Sequence, residues 1–284
     1  MGHVAIVTDS ASDLAPERAA ALGITVVPLA VTFADASFKA GVDLSTEEFW
    51  RRMTAPDAPF PKTAASAPGD FAAAYKQCFD GGADAIVSVH VASTLSGTIK
   101  SAEVARAMFP EREIHIVDTM GASMCEGILA ELGVDMARLS VSATEIARVL
   151  TERRDDVDMV VALDTLEYLK RGGRISGASA VMLTLLSVKP IIQVKNGKVE
   201  TVDKVRTRGK ARERVIELVT GRPIQRLAIL HTMTADVEAF RDELVARIPG
   251  GIDPAKVTID TVGPSIGPHL GPGCVGAVVL YEPA

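Results

Sequence analysis

The chain has 284 residues, of which 48% are hydrophobic and 23% charged, so it is long enough for one large or two ordinary globular domains. Its net charge of −6 argues against a nucleic-acid-binding protein, because such proteins usually carry a clustered basic excess. Three widely spaced cysteines match no metal or disulfide pattern, and we expect no metal and no cofactor. The sequence shows no signal peptide and no apolar run near ~18 residues, so we expect a cytoplasmic chain with at most transient membrane contact.

The first residues alternate between apolar strands and helices. The segment His3–Thr8 predicts a strand, and a helix is expected to begin near Pro16 and to end at Gly23. The β-branched run Ile24–Phe33 predicts a second strand. The segment Ser45–Glu48 matches a capping box, which indicates the start of a short helix.

The alternation continues beyond a proline-rich segment, Pro56–Pro68, which is expected to be a loop. The predicted elements that follow are a helix to Phe79, a strand over Ala85–Val91, a helix from about Ile99, a strand over Glu113–Val117, and helices over 123–139 and 143–154. Such alternation is typical of βαβ units and a parallel sheet. Ligands of parallel sheets bind beyond the carboxyl ends of the strands, where Asp9, the turn Ser93–Thr98 and Asp118 are expected to lie.

The turn Ser93–Thr98 contains four hydroxyl groups and Gly97 between a predicted strand and a predicted helix. The first amides of a helix lack intrahelical partners and carry partial positive charge, so this turn predicts an anion-binding site. The alternative is that Ser96 is only a helix N-cap, although four hydroxyls exceed what one cap requires.

The second half of the chain mixes a hairpin with helices. A charged stretch, Arg153–Asp158, marks the expected boundary, and Asn196-Gly197 predicts a tight hairpin turn. Further helices are expected over 165–171, 179–186, 208–219 and 235–248, with strands over 159–163, 227–231, 257–262 and 275–281. We therefore predict an α/β protein with a three-layer, mainly parallel domain over residues 1–155 and a smaller α+β domain with a mixed sheet over residues 156–284.

A glycine- and proline-rich loop, Gly263–Gly273, joins the last two predicted strands and carries His269 at its centre. A lone histidine is often structural or solvated, but stiff loops are enriched in functional residues, so His269 is a candidate donor.

Taken together, these segments resemble the DegV family of bacterial fatty-acid-binding proteins, of the kind that serve as the acyl-carrier subunit of fatty acid kinase. The matching segments span almost the whole chain: Asp9–Leu14, Gly41–Ser45, Lys62–Thr63, Pro68–Phe71, Ser93–Thr98 with Ser101-Ala102, Asp118–Thr119, Leu166–Ile175, Val188–Ile191, Lys204–Thr207 and His269–Gly273. Two departures are Ala64-Ala65, where the family often has a polar pair, and Ala40, where an aspartate is common.

The resemblance implies that a long-chain fatty acid occupies an apolar tunnel between the two domains, without catalysis by the chain itself. It places the carboxylate near six residues: Thr63, Ser93, Ser96, Gly97, Thr98 and His269. It also implies a separate ATP-binding kinase subunit as partner, which agrees with the lack of a glycine-rich P-loop in the sequence. Arg206 and Arg174 are the candidates for partner or phosphate contact. A solvated basic face explains Arg206 better than this role, and a positive charge at a helix end is the alternative for Arg174.

The rival hypothesis is a serine hydrolase that uses Ser96 or Ser93 with His269 and an acid such as Asp9. Clustered hydroxyls, however, suit the holding of a carboxylate better than one activated nucleophile. A nucleic-acid-binding regulator is disfavoured by the acidic charge.

Overall fold

The computed structural model describes residues 2–175 and 188–283, so the helix expected over 179–186 lies outside the described residues. In chain order the strands are β1 (Val4–Asp9), β2 (Thr25–Val27), β3 (Ala30–Phe33), β4 (Ala36–Lys39), β5 (Lys62–Ala64), β6 (Ala85–His90), β7 (Glu113–Asp118), β8 (Val157–Ala162), β9 (Lys189–Lys195), β10 (Lys198–Val205), β11 (Ile224–His231), β12 (Val257–Thr261) and β13 (Val275–Tyr281). The helices are α1 (Pro16–Leu22), α2 (Thr46–Met53), α3 (Pro68–Asp80), α4 (Thr98–Arg106), α5 (Met124–Arg138), α6 (Ala143–Arg153), α7 (Glu167–Gly172), α8 (Arg208–Val219), α9 (Val237–Val245) and α10 (Gly267–Leu270).

The predicted parallel sheet is confirmed, with strand order β2-β1-β6-β7 and parallel pairing throughout. Strand β6 is buried along its whole length, as a central strand covered on both faces should be. The carboxyl ends of β1, β6 and β7 therefore lie at one edge of the sheet. The polar turns of Asp9, Ser93–Thr98 and Asp118 come at these strand ends.

The single strand predicted over Ile24–Phe33 is wrong, because the chain changes sheets in the middle of it. Strand β2 pairs with β1, whereas β3 pairs antiparallel with β4 and β5 in a separate three-stranded sheet. Pro28 lies at the break; it has no N–H to donate and so interrupts the ladder. Strand β5 falls within the predicted loop and pairs Thr63 with Val31.

The mixed sheet has strand order β10-β9-β8-β13-β11-β12, in which only the β11–β12 pair among the described strands is parallel. The predicted hairpin is confirmed: β9 and β10 are joined at Asn196 and Gly197, which have φ of 51° and 70°. Both central residues of a type I′ turn need positive φ, which asparagine and glycine tolerate best.

Helix α5 joins the two larger sheets. It packs against β1 and β6 of the parallel sheet and against β8, β11 and β13 of the mixed sheet, and it is buried over most of its surface. The largest hydrophobic cluster accordingly contains residues of both sheets, such as Val87 and Val278. The strands of the two sheets fall on either side of residue 155, and the predicted division into two domains stays a prediction.

None of the helices within residues 2–175 and 188–283 is both long enough and apolar enough to cross a membrane.

Candidate functional site

A cavity of about 710 Å³, including the solvent-open space at its mouth, lies between the edge of the parallel sheet and one face of the mixed sheet. The lining residues come from the turns after β1 and β6, from β5, from β8 to β10, and from the loop around α10: Ala11, Leu29, Thr63, Ala64, Ala65, Val91, Leu95, Ser96, Gly97, Ala122, Met159, Leu169, Arg174, Ile192, Val194, Val199, Ser265, Ile266, His269 and Leu270.

The cavity is chemically divided. The side chains contributed by the mixed sheet are all apolar: Met159, Ile192, Val194 and Val199. The polar groups come from the three-stranded sheet, the turn after β6, the end of α7 and the α10 loop: Thr63, Ser96, Arg174, Ser265 and His269. Aliphatic walls with a few convergent polar groups are what an amphiphilic ligand requires.

Thr63 and His269 are neighbours in this cavity, with 3.1 Å between Thr63 Oγ1 and His269 Nε2. The pairing of β5 with β3 holds Thr63 in place, and the short helix α10 carries His269. His269 Nδ1 is buried without a hydrogen-bond partner among the described residues. A side chain at Gly172 would lie 2.2 Å from that nitrogen, so only glycine permits this close approach.

His269 is uncharged at neutral pH. Burial, together with the nearby positive charge of Arg174, lowers the pKa of its imidazole to about 4. His269 can therefore donate or accept a hydrogen bond, while the positive charge at the mouth belongs to Arg174. Arg174 donates to the carbonyl oxygens of Leu95 and Gly172, and it forms no ion pair with any described carboxylate.

The turn after β6 brings part of the predicted anion site to the cavity. Ser96 and Gly97 line it, and the Gly97 amide lies at the N-terminus of α4, where backbone N–H groups lack intrahelical acceptors. Thr98 is fully buried behind them, with its hydroxyl 2.8 Å from Ser96 Oγ. Ser93 is exposed, and its amide donates to the Asp118 carboxylate in a neighbouring surface depression.

Of the two candidate arginines, the structure places Arg174 at the cavity and Arg206 away from it. Arg206 is exposed on the segment between β10 and α8 and does not line the cavity. Ser265 was not predicted as a lining residue; its place in the same stiff loop as His269 was the available signal.

A second polar cluster, which the sequence analysis did not predict, is completely buried. His90 Nδ1 lies 2.9 Å from Asp9 Oδ2, and His90 Nε2 lies 2.6 Å from Ser88 Oγ, which is hydrogen-bonded to Tyr75. Glu126 accepts from the Asp9 amide, and burial together with the Asp9 charge holds the pKa of Glu126 well above its usual range.

This arrangement does not assemble the hydrolase triad considered above. Asp9 pairs with His90, not with His269, whose described partner is Thr63. Ser96 is hydrogen-bonded to Thr98 and not to an imidazole. The set Ser88, His90 and Asp9 has triad connectivity, but all three side chains are inaccessible to a substrate.

The chain is similar to known proteins over its full length. A family model described as an uncharacterised protein of the DegV family matches residues 3–282. A DegV domain-containing protein of Streptomyces coelicolor is 35% identical, with 98% of each chain covered. Two solved structures match with TM-scores of 0.89 and 0.88: a fatty-acid-binding DegV family protein from Thermus thermophilus (33% identity; 99% of this chain and 100% of that chain) and the fatty-acid-binding protein DegV from Bacillus subtilis (28%; 99% and 100%). The chain therefore belongs to the DegV family.

Proposed function

We propose that this protein binds a long-chain fatty acid, with the carboxylate at the polar mouth of the cavity and the acyl tail along its apolar wall. The observation that carries the proposal is the division of one cavity into converging donors and an aliphatic face. The names of the Thermus thermophilus and Bacillus subtilis structures, both described as fatty-acid-binding, support it.

The head group would be held by Thr63, Ser96, the Gly97 amide and His269, with Thr98 fixing the Ser96 hydroxyl from behind. Hydrogen bonds to a charged acceptor are stronger than neutral ones, and Arg174 supplies a positive charge at the same mouth. Ser93 is left out of this set, because it is exposed, does not line the cavity, and donates its amide to Asp118.

The acyl tail would supply most of the driving force. Removing a methylene group from water contributes about 0.8 kcal/mol, so a C16 tail contributes roughly 10 kcal/mol before the cost of ordering the chain. The apolar walls from β8, β9 and β10 suit such a tail because they present no polar group that would lose hydration.

We further propose that the bound acid is presented to a separate ATP-binding kinase subunit in the cytoplasm, with Arg206 on the contact surface. This role rests on the family resemblance and on the exposure of Arg206 next to the α8 face. Replacing Arg206 by Ala should reduce acyl-phosphate formation with the kinase subunit at least several-fold and leave fatty acid affinity unchanged; equal loss of both would contradict this assignment.

The main proposal is tested by extraction of the protein after purification from a bacterial host. Denaturation followed by mass spectrometry should release a fatty acid at close to one equivalent, and delipidated protein should take up added hexadecanoic acid. The absence of an acyl chain together with failure to bind the added acid would refute the proposal.

A further inference from the structure

Asp13 joins three separate segments of the chain. Its Oδ1 accepts a hydrogen bond of 2.8 Å from the Gly263 amide, and its Oδ2 accepts one of 2.5 Å from the Ser123 hydroxyl. Asp13 itself ends the short turn after β1 in a left-handed conformation, with φ of 54°. A left-handed backbone is uncommon in a residue other than glycine and persists only where surrounding contacts fix it.

The hydrogen bond between Asp13 and Gly263 holds the loop that carries His269. The Gly263 carbonyl accepts from the Gly267 amide at 2.8 Å and so begins the α10 turn that carries His269. Between them, Ser265 lines the cavity and is hydrogen-bonded to Ser10 on the same turn as Asp13. The loop with His269 is thus attached to the parallel sheet through Asp13 and Ser10.

We propose that Asp13 is a positioning residue for fatty acid binding: its carboxylate holds the Gly263 end of the His269 loop, and protonation of that carboxylate loosens the loop and weakens binding. The proposal rests on the function proposed above and concerns the regulation of the same site by pH. A protonated carboxyl keeps one good acceptor oxygen instead of two, so the hydrogen bonds to Gly263 and Ser123 cannot both keep their strength.

The surroundings place this protonation near neutral pH. Burial raises the pKa of Asp13 to about 7, with the negative charges of Asp260 and Asp9 adding to the effect and the two hydrogen bonds opposing it. No basic side chain among the described residues forms an ion pair with Asp13. The other titratable and charged groups that line the same surface depression as Asp13 are Glu47 and Arg51 on α2 and His231 at the end of β11.

Three other titratable groups could contribute to a pH dependence of binding: His269, the ligand carboxyl and Asp260. The pKa of His269 is lowered to about 4 by burial, and the ligand carboxyl titrates near ~4.5, so neither changes charge between pH 6 and 8. Burial raises the pKa of Asp260 to about 6, so this residue requires a control variant.

The experiment is the affinity of the full-length protein for a fluorescent C16 fatty acid between pH 5.5 and 8.5, compared among four proteins. The wild type should bind about threefold to tenfold more weakly at pH 6 than at pH 8. Asp13→Asn, an isosteric change that mimics the protonated form, should bind at every pH as the wild type does at pH 6. Taking the ratio of the two proteins at each pH cancels any titration of the ligand.

The two remaining variants shift the transition in opposite directions. Ser123→Ala removes a hydrogen bond that favours the charged carboxylate and should move the transition to higher pH, whereas Asp260→Asn removes a like charge and should move it to lower pH. Identical pH profiles for the wild type and folded Asp13→Asn, or loss of the transition in Asp260→Asn alone, would overturn the assignment to Asp13. Absence of fatty acid binding by the wild type at all pH values would instead refute the proposed function.

Discussion

Two histidines of this molecule lie next to hydroxyl groups, but their surroundings differ. His90 is fully buried and has a hydrogen-bond partner on each ring nitrogen, Ser88 on one side and Asp9 on the other. His269 borders the cavity, has Thr63 as its described partner, and keeps one nitrogen unpartnered among the described residues. A complete set of partners indicates a supporting role, whereas an incomplete set beside empty space indicates a ligand site.

The charges around the two histidines differ in the same way. The Asp9 carboxylate is hydrogen-bonded to His90, so an anion would be repelled there. The mouth near His269 has Arg174 and no carboxylate among its described lining residues. An anionic head group is therefore favoured at one site and opposed at the other, although both are built from the same residue types.

The largest expected effect comes from the buried histidine. His90→Ala leaves the Asp9 carboxylate buried without its partner, which should lower the free energy of unfolding by about 3–5 kcal/mol. Urea denaturation measures this change, with His115→Ala at a partly exposed position as a control that should cost less than about 0.5 kcal/mol. A His90→Ala protein of normal stability that no longer binds fatty acid would reverse the roles assigned to the two histidines.

A second prediction concerns the pH dependence of the free energy of unfolding, to which the buried carboxyl of Asp13 contributes. Because burial raises the pKa of Asp13 to about 7 in the folded protein, against about 3.9 when unfolded, the folded state binds this proton more tightly. The free energy of unfolding should therefore fall, on the order of 2 kcal/mol, as pH rises from about 5 to 8. Asp13→Asn should reduce this fall in chemical denaturation series, and an unchanged slope would contradict the raised pKa.

A third change sharpens the comparison at the open site. Thr63→Val keeps a β-branched side chain in β5 but removes the hydroxyl, and should weaken fatty acid binding about tenfold because a hydrogen bond to a charged group is lost. The methyl ester of the same acid should lose less affinity. Thr32→Val on the adjacent strand β3 is the matched control, and equal losses for acid and ester would rule out a carboxylate contact.

The smallest expected effect lies on the apolar wall. Val194→Phe fills part of the space beside β9 and should shift the preferred acyl chain to a shorter length, with little change in affinity for short acids. Competition among acids of graded length measures the shift. An unchanged length preference would show that the tail does not run along this wall.

Apart from β2, which was merged with β3, the strands of both larger sheets could be predicted because their apolar and β-branched runs are local signals, as with His3–Thr8 and the Asn196-Gly197 hairpin. Strand β5 could not, because three residues beside Pro61 form a strand only through their distant partner β3. The contact between Thr63 and His269 joins positions 206 residues apart, so spacing could not reveal it. The stiff loop already indicated His269, whereas only the family resemblance indicated Thr63.

The buried roles of Asp13 and His90 could not be predicted for a related reason. Local sequence shows that these side chains are polar, but only the packing of α5 and the Gly263 loop against the strand ends shows that they are buried and which groups they bind. For Ser93 the sequence predicted a contact with the ligand because the residue belongs to the hydroxyl-rich turn. In the structure Ser93 is exposed and does not line the cavity.

A crystal structure of the protein with hexadecanoic acid tests the central claim most directly. We expect the carboxylate oxygens within hydrogen-bond distance of Thr63, Ser96 and His269, and the tail beside Val194 and Val199. A head group placed at the apolar end of the cavity, or a bound acid outside it, would contradict the account.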